Sequence, residues 1–460
     1  MFSSELAEIR FGCGLSPSIE PPASREAMLA GLEAPDEMAI RYPVRSFPQF
    51  STDLVTLRDE LKTYREALGK DDPGYRKQLR NFRDTTMDDA ARDRARIMQR
   101  WTQTEHAFRE RLVLFWTDHF TAYPKTGLTQ YGATGYVEDA IRPHLTGRFE
   151  DLLIPAVTHP VMLLFLDQRV SAGPSSRASL RGENKKLGLN ENLAREVMEL
   201  HTLGVDGSYT QGDVRQLAEL LTGLSTDRTM SFQFRDGYVE PGAETVLGRS
   251  YGGDEPSLDS IHEVLRDLAR HPDTARHIAR KLATHFVSDT PPANLVAHIE
   301  ARYRETDGAL LPVYAALLEH PAAWDPALRN VKPAADFVAS ACRALDLHER
   351  TFESMSARDM KRKILRPMQK MGQNWQLPPG PDGWPEEDIA WITPQSLASR
   401  LDWAMAAPRQ LRSDLPDPRL FAQQALGTTL PPSVAFAAKA AEQRYEAIGL
   451  VLVSPAFQRR

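Results

Sequence analysis

Two short stretches hold the side chains best suited to chemistry. In EHAFRERLVLFWTDHFTAY, Phe108, Leu112, Phe115 and His119 fall at i, i+4, i+7 and i+11, so His119 extends an apolar helical face. An imidazole in that place is either a hydrogen-bonded core residue or a titrating or ligating group tuned by burial. In GLNENLAREVMELHTLGVDG, Asn192, Glu196 and Glu199 cluster on one side of a helix with Arg195 beside them, and Leu193, Val197, Met198 and Leu200 take the other. Two carboxylates so placed can act as general bases or bind a divalent metal. On a regular helix His201 lies roughly 140° around from Glu196. Glu196, Glu199 and His201 therefore cannot share one ion, and this is not the HExxH pattern of the zincins. The missing ligands would come from His119 or His159. In the plainer reading Arg195 pairs with Glu199 at i+4 while Glu196 faces solvent.

Two further stretches place polar groups at helix starts. In THPVMLLFLDQ, Pro160 suits a first helical turn and leaves His159 at the cap. In SYTQGDVRQLAELLTGL, Thr210 and Asp213 form a start like a capping box. Tyr209 sits at that junction, where free N–H groups could receive an anion.

Helices must position these residues, and helical periodicity dominates the chain. Residues 53–69 put Leu54, Leu57, Leu61 and Tyr64 on one stripe and stop at Gly69; residues 76–121 begin charged and become apolar. From Pro256 to Trp324, short helices recur between turns marked by Pro272, Pro291, Pro292 and Gly308. The one good strand signal is 229–239, where Met230, Phe232 and Phe234 alternate with polar residues and Asp236-Gly237 predicts a hairpin turn before Tyr238. Residues 374–396 form a long loop rich in proline and tryptophan, of a kind that covers sites or simply wraps the fold. The expected fold is mostly α, a multi-helix globular protein with a small β-hairpin insertion near 229–252. Its regions are an N-terminal helical part (1–100), a central helical core carrying the candidate site (101–228), the hairpin insertion (229–255), a helical lobe (256–350) and C-terminal helices with the Pro/Trp-rich loop (351–460).

Composition narrows the classes. The 460 residues are 42% apolar and 26% charged, with a formal net charge of −6, which fits a folded protein and gives no bulk basic field. No nucleic-acid partner is expected. Cys13 and Cys342 cannot build a disulfide framework. No stretch reads as a membrane span or a secretory leader, so the expectation is a cytoplasmic protein, or a periplasmic one if a leader was removed. Walker A, GxGxxG and GxSxG patterns are missing from the sequence.

The runs RERLVLFWTDHFTA, HPVMLLFLDQRVSAGPSS and GLNENLAREVMELHTLGVDGSYTQGDVRQLAELLTG, with ETVLGRSYGG, ARHIARKLATHFVSDTPPANLV and LVSPAFQRR, resemble the bacterial domain-of-unknown-function family numbered 1800 over nearly the whole chain. The resemblance implies a largely helical bacterial protein but no settled reaction, cofactor or catalytic residue. It also implies an operon-encoded partner that looks like the alkaline-phosphatase/sulfatase superfamily. Relatives often carry a histidine where this chain has Val239.

The functional expectation is a hydrolase-like or metal-assisted pocket acting on a polar substrate. His119, Glu196 and Glu199 would be its acid, base or ligands, and Asn192, Arg195, His159, His201 and Tyr209 its binding residues; the cofactor is left open, with a divalent metal as one option. The alternative is a non-catalytic scaffold or partner-binding protein of an operon-encoded complex. A third reading, recognition of an anionic polymer, rests on Arg177, Arg181, Lys185 and Lys186.

Overall fold

In the computed structural model, which describes residues 1–125, 127–182 and 187–460, side-chain caps mark helix starts. Ser46 Oγ accepts the Gln49 N–H to open α1 (Phe47–Leu68), which stops at Gly69 with φ +83°, a backbone that glycine tolerates best. Asp72 caps α2 (Pro73–Gln103), and after a short break α3 (Ala107–His119) begins. The chain continues through α4 (Phe149–Thr158) to α5 (Asn192–Glu196), which runs into a π-helical turn, Val197–His201. Then come α6 (Gln211–Leu220), α7 (Leu258–Arg270), α8 (Pro272–Phe286), α9 (Ala293–Glu305) and α10 (Leu310–Glu319). The C-terminal part is built on α11 (Ala334–Ala344), α12 (Pro394–Leu411) and α13 (Arg444–Val453). The protein is mostly α. Among the described residues no helix is long and apolar enough to cross a membrane.

The β structure is small but differs in register from the sequence expectation. Phe232–Phe234 (β2) pairs antiparallel with Leu224–Thr226 (β1), not with Tyr238-Val239; Asp236–Tyr238 is a single 3₁₀ turn. The hairpin reverses earlier because Asp227 Oδ1 accepts the N–H groups of Thr229 and Ser231 and Met230 takes φ +63°, a side-chain turn that outcompetes Asp-Gly. A second hairpin follows, β3 (Gly242–Val246) on β4 (Arg249–Gly253), turning at Leu247 and Gly248, both with positive φ, as a two-residue hairpin turn requires.

Two hydrophobic cores organise the helices. The first holds Phe11, Phe108, Leu112, Phe115, Trp116 and Leu153 and draws on residues up to Trp324. The second holds Trp101, Phe337, Met368, Trp403 and Leu452, combining the end of α2 with the C-terminal helices. Helix α3 runs between them. Its side away from His119 is covered as well: Glu110 is 1% exposed. An α-helix advances about 100° per residue, so residues two apart lie on nearly opposite sides. The stripe Phe108, Leu112, Phe115, His119 thus faces one core, while Glu110, Leu114 and Thr117 face the seam.

Candidate functional site

On the first side of α3, His119 is buried at 2% exposure among Phe115, Trp116, Phe120 and Phe149. Its Nε2–H donates to the His201 carbonyl at 3.2 Å; a carbonyl only accepts, so the proton is on Nε2. His277 makes the parallel bond from Nε2 to the Leu200 carbonyl at 3.0 Å. The rings of His201 and His277 each lie 6.1 Å from that of His119. Burial first, then the Lys281 ammonium, lowers all three imidazoles: His119 well below its usual range, His201 to about 3 and His277 to about 4. This is a buried, neutral knot of imidazoles. Neither ring nitrogen of His201 and not the Nδ1 of His119 has a hydrogen-bond partner among the described residues.

Glu196 and Glu199 do not join it. Among the described residues no hydrogen bond, ion pair or ring contact links either to His119. Arg195 bridges Glu191 at 3.3 Å and Glu199 at 3.4 Å, one turn away on each side, and also donates to Gln211. Glu196 is half-buried, and burial with the adjacent Glu199 raises its carboxyl to about 7. Asn192 is exposed at the start of α5, its N–H donated to Asn190 Oδ1. The 140° offset of His201 assumed a regular helix; the wider i→i+5 turn at Val197–His201 breaks that geometry and buries His201 instead. His159 is a cap, its Nδ1 accepting the Val161 N–H at 3.1 Å, with Nε2 3.6 Å from Asp139. Tyr209 is partly buried beside Glu199, which with burial raises its phenol. The α6 start is closed by a reciprocal Thr210–Asp213 capping box, so its N–H groups are already served. Among the described residues no group of three or more His, Cys, Asp or Glu side chains is arranged to hold a metal ion, so the option of a divalent metal finds no such ligand set there. Of the proposed polymer-binding residues, Arg177 and Arg181 lie on a short helical turn; Lys185 and Lys186 lie outside the described residues.

The other side of α3 opens on a cavity of about 140 Å³ at the seam between the two cores. Its floor is Glu110, Arg111, Leu114, Thr117 and Asp118; its roof is the Pro/Trp-rich loop, through Trp375, Gln376, Trp384, Pro385 and Glu386. Polar contacts pin that roof. Tyr123 donates to the Pro378 carbonyl, the Trp384 N–H donates to Asp118 Oδ1 at 2.9 Å, and His285 donates from Nδ1 to Glu386 Oε1 at 2.8 Å. The tautomer of His285 follows because its Nε2 accepts from Arg111, at 3.3 Å. Arg111 in turn meets Asp336 at 2.7 Å, and Asp336 also meets Arg460 at 3.0 Å. Two carboxyls here lack an arginine salt bridge, and their environments diverge. Burial, then the neighbouring Glu386 charge, pushes Asp118 up to about 7 against the pull of Lys281 and the Trp384 N–H. Burial alone would raise Glu386 too, but His285, Lys281 and Arg111 outweigh it and hold that carboxyl below its usual range.

The sequence runs that hold these residues fall within a match to the family described as protein of unknown function (DUF1800), which covers residues 10–459. This chain belongs to the DUF1800 family. No curated protein and no solved structure matches it. The DUF1800 description names no reaction, so chemistry has to be read from the geometry. Sequence reasoning passed over Asp118, Glu386 and Lys281. One signal could have found part of the set: in α8 of this DUF1800 chain, His277, Lys281 and His285 recur every four residues, one polar stripe on a helix. Asp118 and Glu386 carry no such signature, since they meet only through the packing of α3 against a loop more than two hundred residues later.

Proposed function

We propose that this DUF1800 protein is a hydrolase-like enzyme of acid–base type whose site is the seam cavity, with Asp118 as the proton donor and Glu386 as the base, acting on a polar small molecule. One observation carries this reading: two carboxyls line a single cavity, and their surroundings push their proton affinities apart. That is how one site comes to hold both an acid and a base near neutrality. His285 orients Glu386 through Nδ1, and Arg111 fixes the tautomer of His285 from the far side. The loop roof limits water, which strengthens these interactions.

A scaffold or partner-binding role is the second reading. It is favoured by Arg195, which neutralises Glu191 and Glu199 at the helix surface, and by the tight ion pairing of the remaining cavity charges. Chromogenic ester, amide, phosphate and acetal substrates separate the two. Turnover that falls about 10²–10⁴-fold in Asp118→Asn and Glu386→Gln supports the enzyme. Turnover unchanged in both variants, or none from wild-type protein that also binds no small molecule in a thermal-shift screen, favours the scaffold.

A further inference from the structure

We infer, building on the acid–base reading of the same cavity, that its substrate is an uncharged polyhydroxylated molecule, a saccharide held at a glycosidic bond between Asp118 and Glu386.

The first ground is charge. Four arginines and five acidic residues line the cavity, yet they cancel locally. Arg100 grips Glu138 with two bonds, at 2.7 and 3.0 Å, and Arg142 grips Glu110 with two, at 3.0 and 2.6 Å. Arg111 and Arg460 share Asp336, and the positive charge left over is balanced by Glu386 across His285. An ionic substrate would have to break one of these pairs and leave its partner buried, which is costly. A neutral one does not.

The second ground is hydrogen bonding. Among the described residues, four polar side chains of the lining are hydrogen-bonded at one end and have no side-chain partner at the other. Gln376 Oε1 accepts the Thr134 hydroxyl at 2.7 Å and Gln373 Oε1 accepts the Ala335 N–H at 2.6 Å, leaving both amide NH₂ groups as donors. Asp118 uses Oδ1 on Trp384 and Glu386 uses Oε1 on His285, leaving Oδ2 and Oε2. The lining thus carries both donors and acceptors, which suits hydroxyl groups because each both gives and takes a bond. An apolar ligand would strand these groups unpaired.

The third ground is the wall. Trp101, Trp375, Trp384 and Trp391 line the cavity with Tyr136, presenting flat apolar surface beside the polar groups. Small-molecule sites typically combine such surface with a few placed polar atoms, and a sugar ring carries both kinds of face.

The chemistry then balances with water as the only co-reactant. The water oxygen bonds to the anomeric carbon as the bond from that carbon to the leaving oxygen breaks. Glu386 takes a proton from the water and Asp118 gives its own to the leaving oxygen; exchange with solvent restores both.

The test titrates the full chain with cellobiose, maltose and chitobiose, read by tryptophan fluorescence, and assays the matching p-nitrophenyl glycosides beside p-nitrophenyl acetate and p-nitrophenyl phosphate. The expected result is saturable binding of at least one disaccharide, weakened tenfold or more by Gln376→Ala. Asp118→Asn should keep that binding while losing at least a hundredfold in glycoside cleavage. Asp118-dependent cleavage of the acetate or phosphate with no disaccharide bound overturns the saccharide assignment and leaves the acid–base cavity standing. No binding and no cleavage of any probe overturns both.

Discussion

The two sides of helix α3 bury ionisable groups one residue apart and treat them in opposite ways. His119 enters a buried core, where desolvation expels its proton; Asp118 lines a cavity, where desolvation holds its proton up to about pH 7. Desolvation drives both, since it disfavours whichever form is charged. Only the second can pass a proton to something in the cavity. A shifted pKa is therefore not enough to nominate a catalytic group; the group also needs space beside it for a reacting atom.

The contrast can be broken hardest at the wall that separates the cavity from the second core. Asp336→Ala strips the shared carboxylate from Arg111 and Arg460 and should cost about 3–5 kcal/mol of unfolding free energy, because it leaves buried cations uncompensated. Urea denaturation measures this, and a loss under about 1 kcal/mol would mean that the seam is wet.

Stability as a function of pH sharpens it next, with opposite signs. His201 falls to about 3 in the folded chain, against roughly 6.5 when unfolded. The unfolded chain binds the proton first, so stability should drop as pH falls from 6.5 towards 3. The drop amounts to a few kcal/mol, at about 1.4 kcal/mol per pKa unit, and His201→Leu should flatten it. Asp118 rises to about 7 against roughly 3.9 unfolded. Its contribution is full below 3.9 and is lost as pH rises through 7, so Asp118→Asn should flatten the curve between pH 4 and 7. Variants whose slopes change in the same direction would erase the distinction between the two sides.

The smallest effect is expected at the surface. Arg195→Ala removes two half-exposed i,i+4 pairs and should change stability by no more than about 0.5 kcal/mol. A larger loss would return Arg195 to the centre of a site.

Much of the fold was legible in the sequence because it rests on local rules. The mostly helical class, the stop at Gly69, the cap at His159, the Thr210–Asp213 box and the burial of His119 all follow from spacing and side-chain chemistry within a turn or two. The hairpin register was missed because an Asp227 turn competes with Asp236-Gly237. The regular-helix step applied to His201 does not hold across Val197–His201, because a π-turn is invisible to a fixed 100° step. For the Pro/Trp-rich loop the sequence left cover and wrapping as alternatives, and nothing in it named what the loop packs against. Asp118 was passed over because nothing near it in the chain announces the second core that packs there.

The most direct measurement is the ionisation of Asp118 itself, followed by carbon NMR of the side-chain carboxyl with Asp118→Asn to assign the signal. A midpoint near 7, falling in Glu386→Gln as the neighbouring charge is removed, is the expected result. A midpoint below about 5, unmoved by Glu386→Gln, would contradict the claim that this cavity holds a proton ready for transfer.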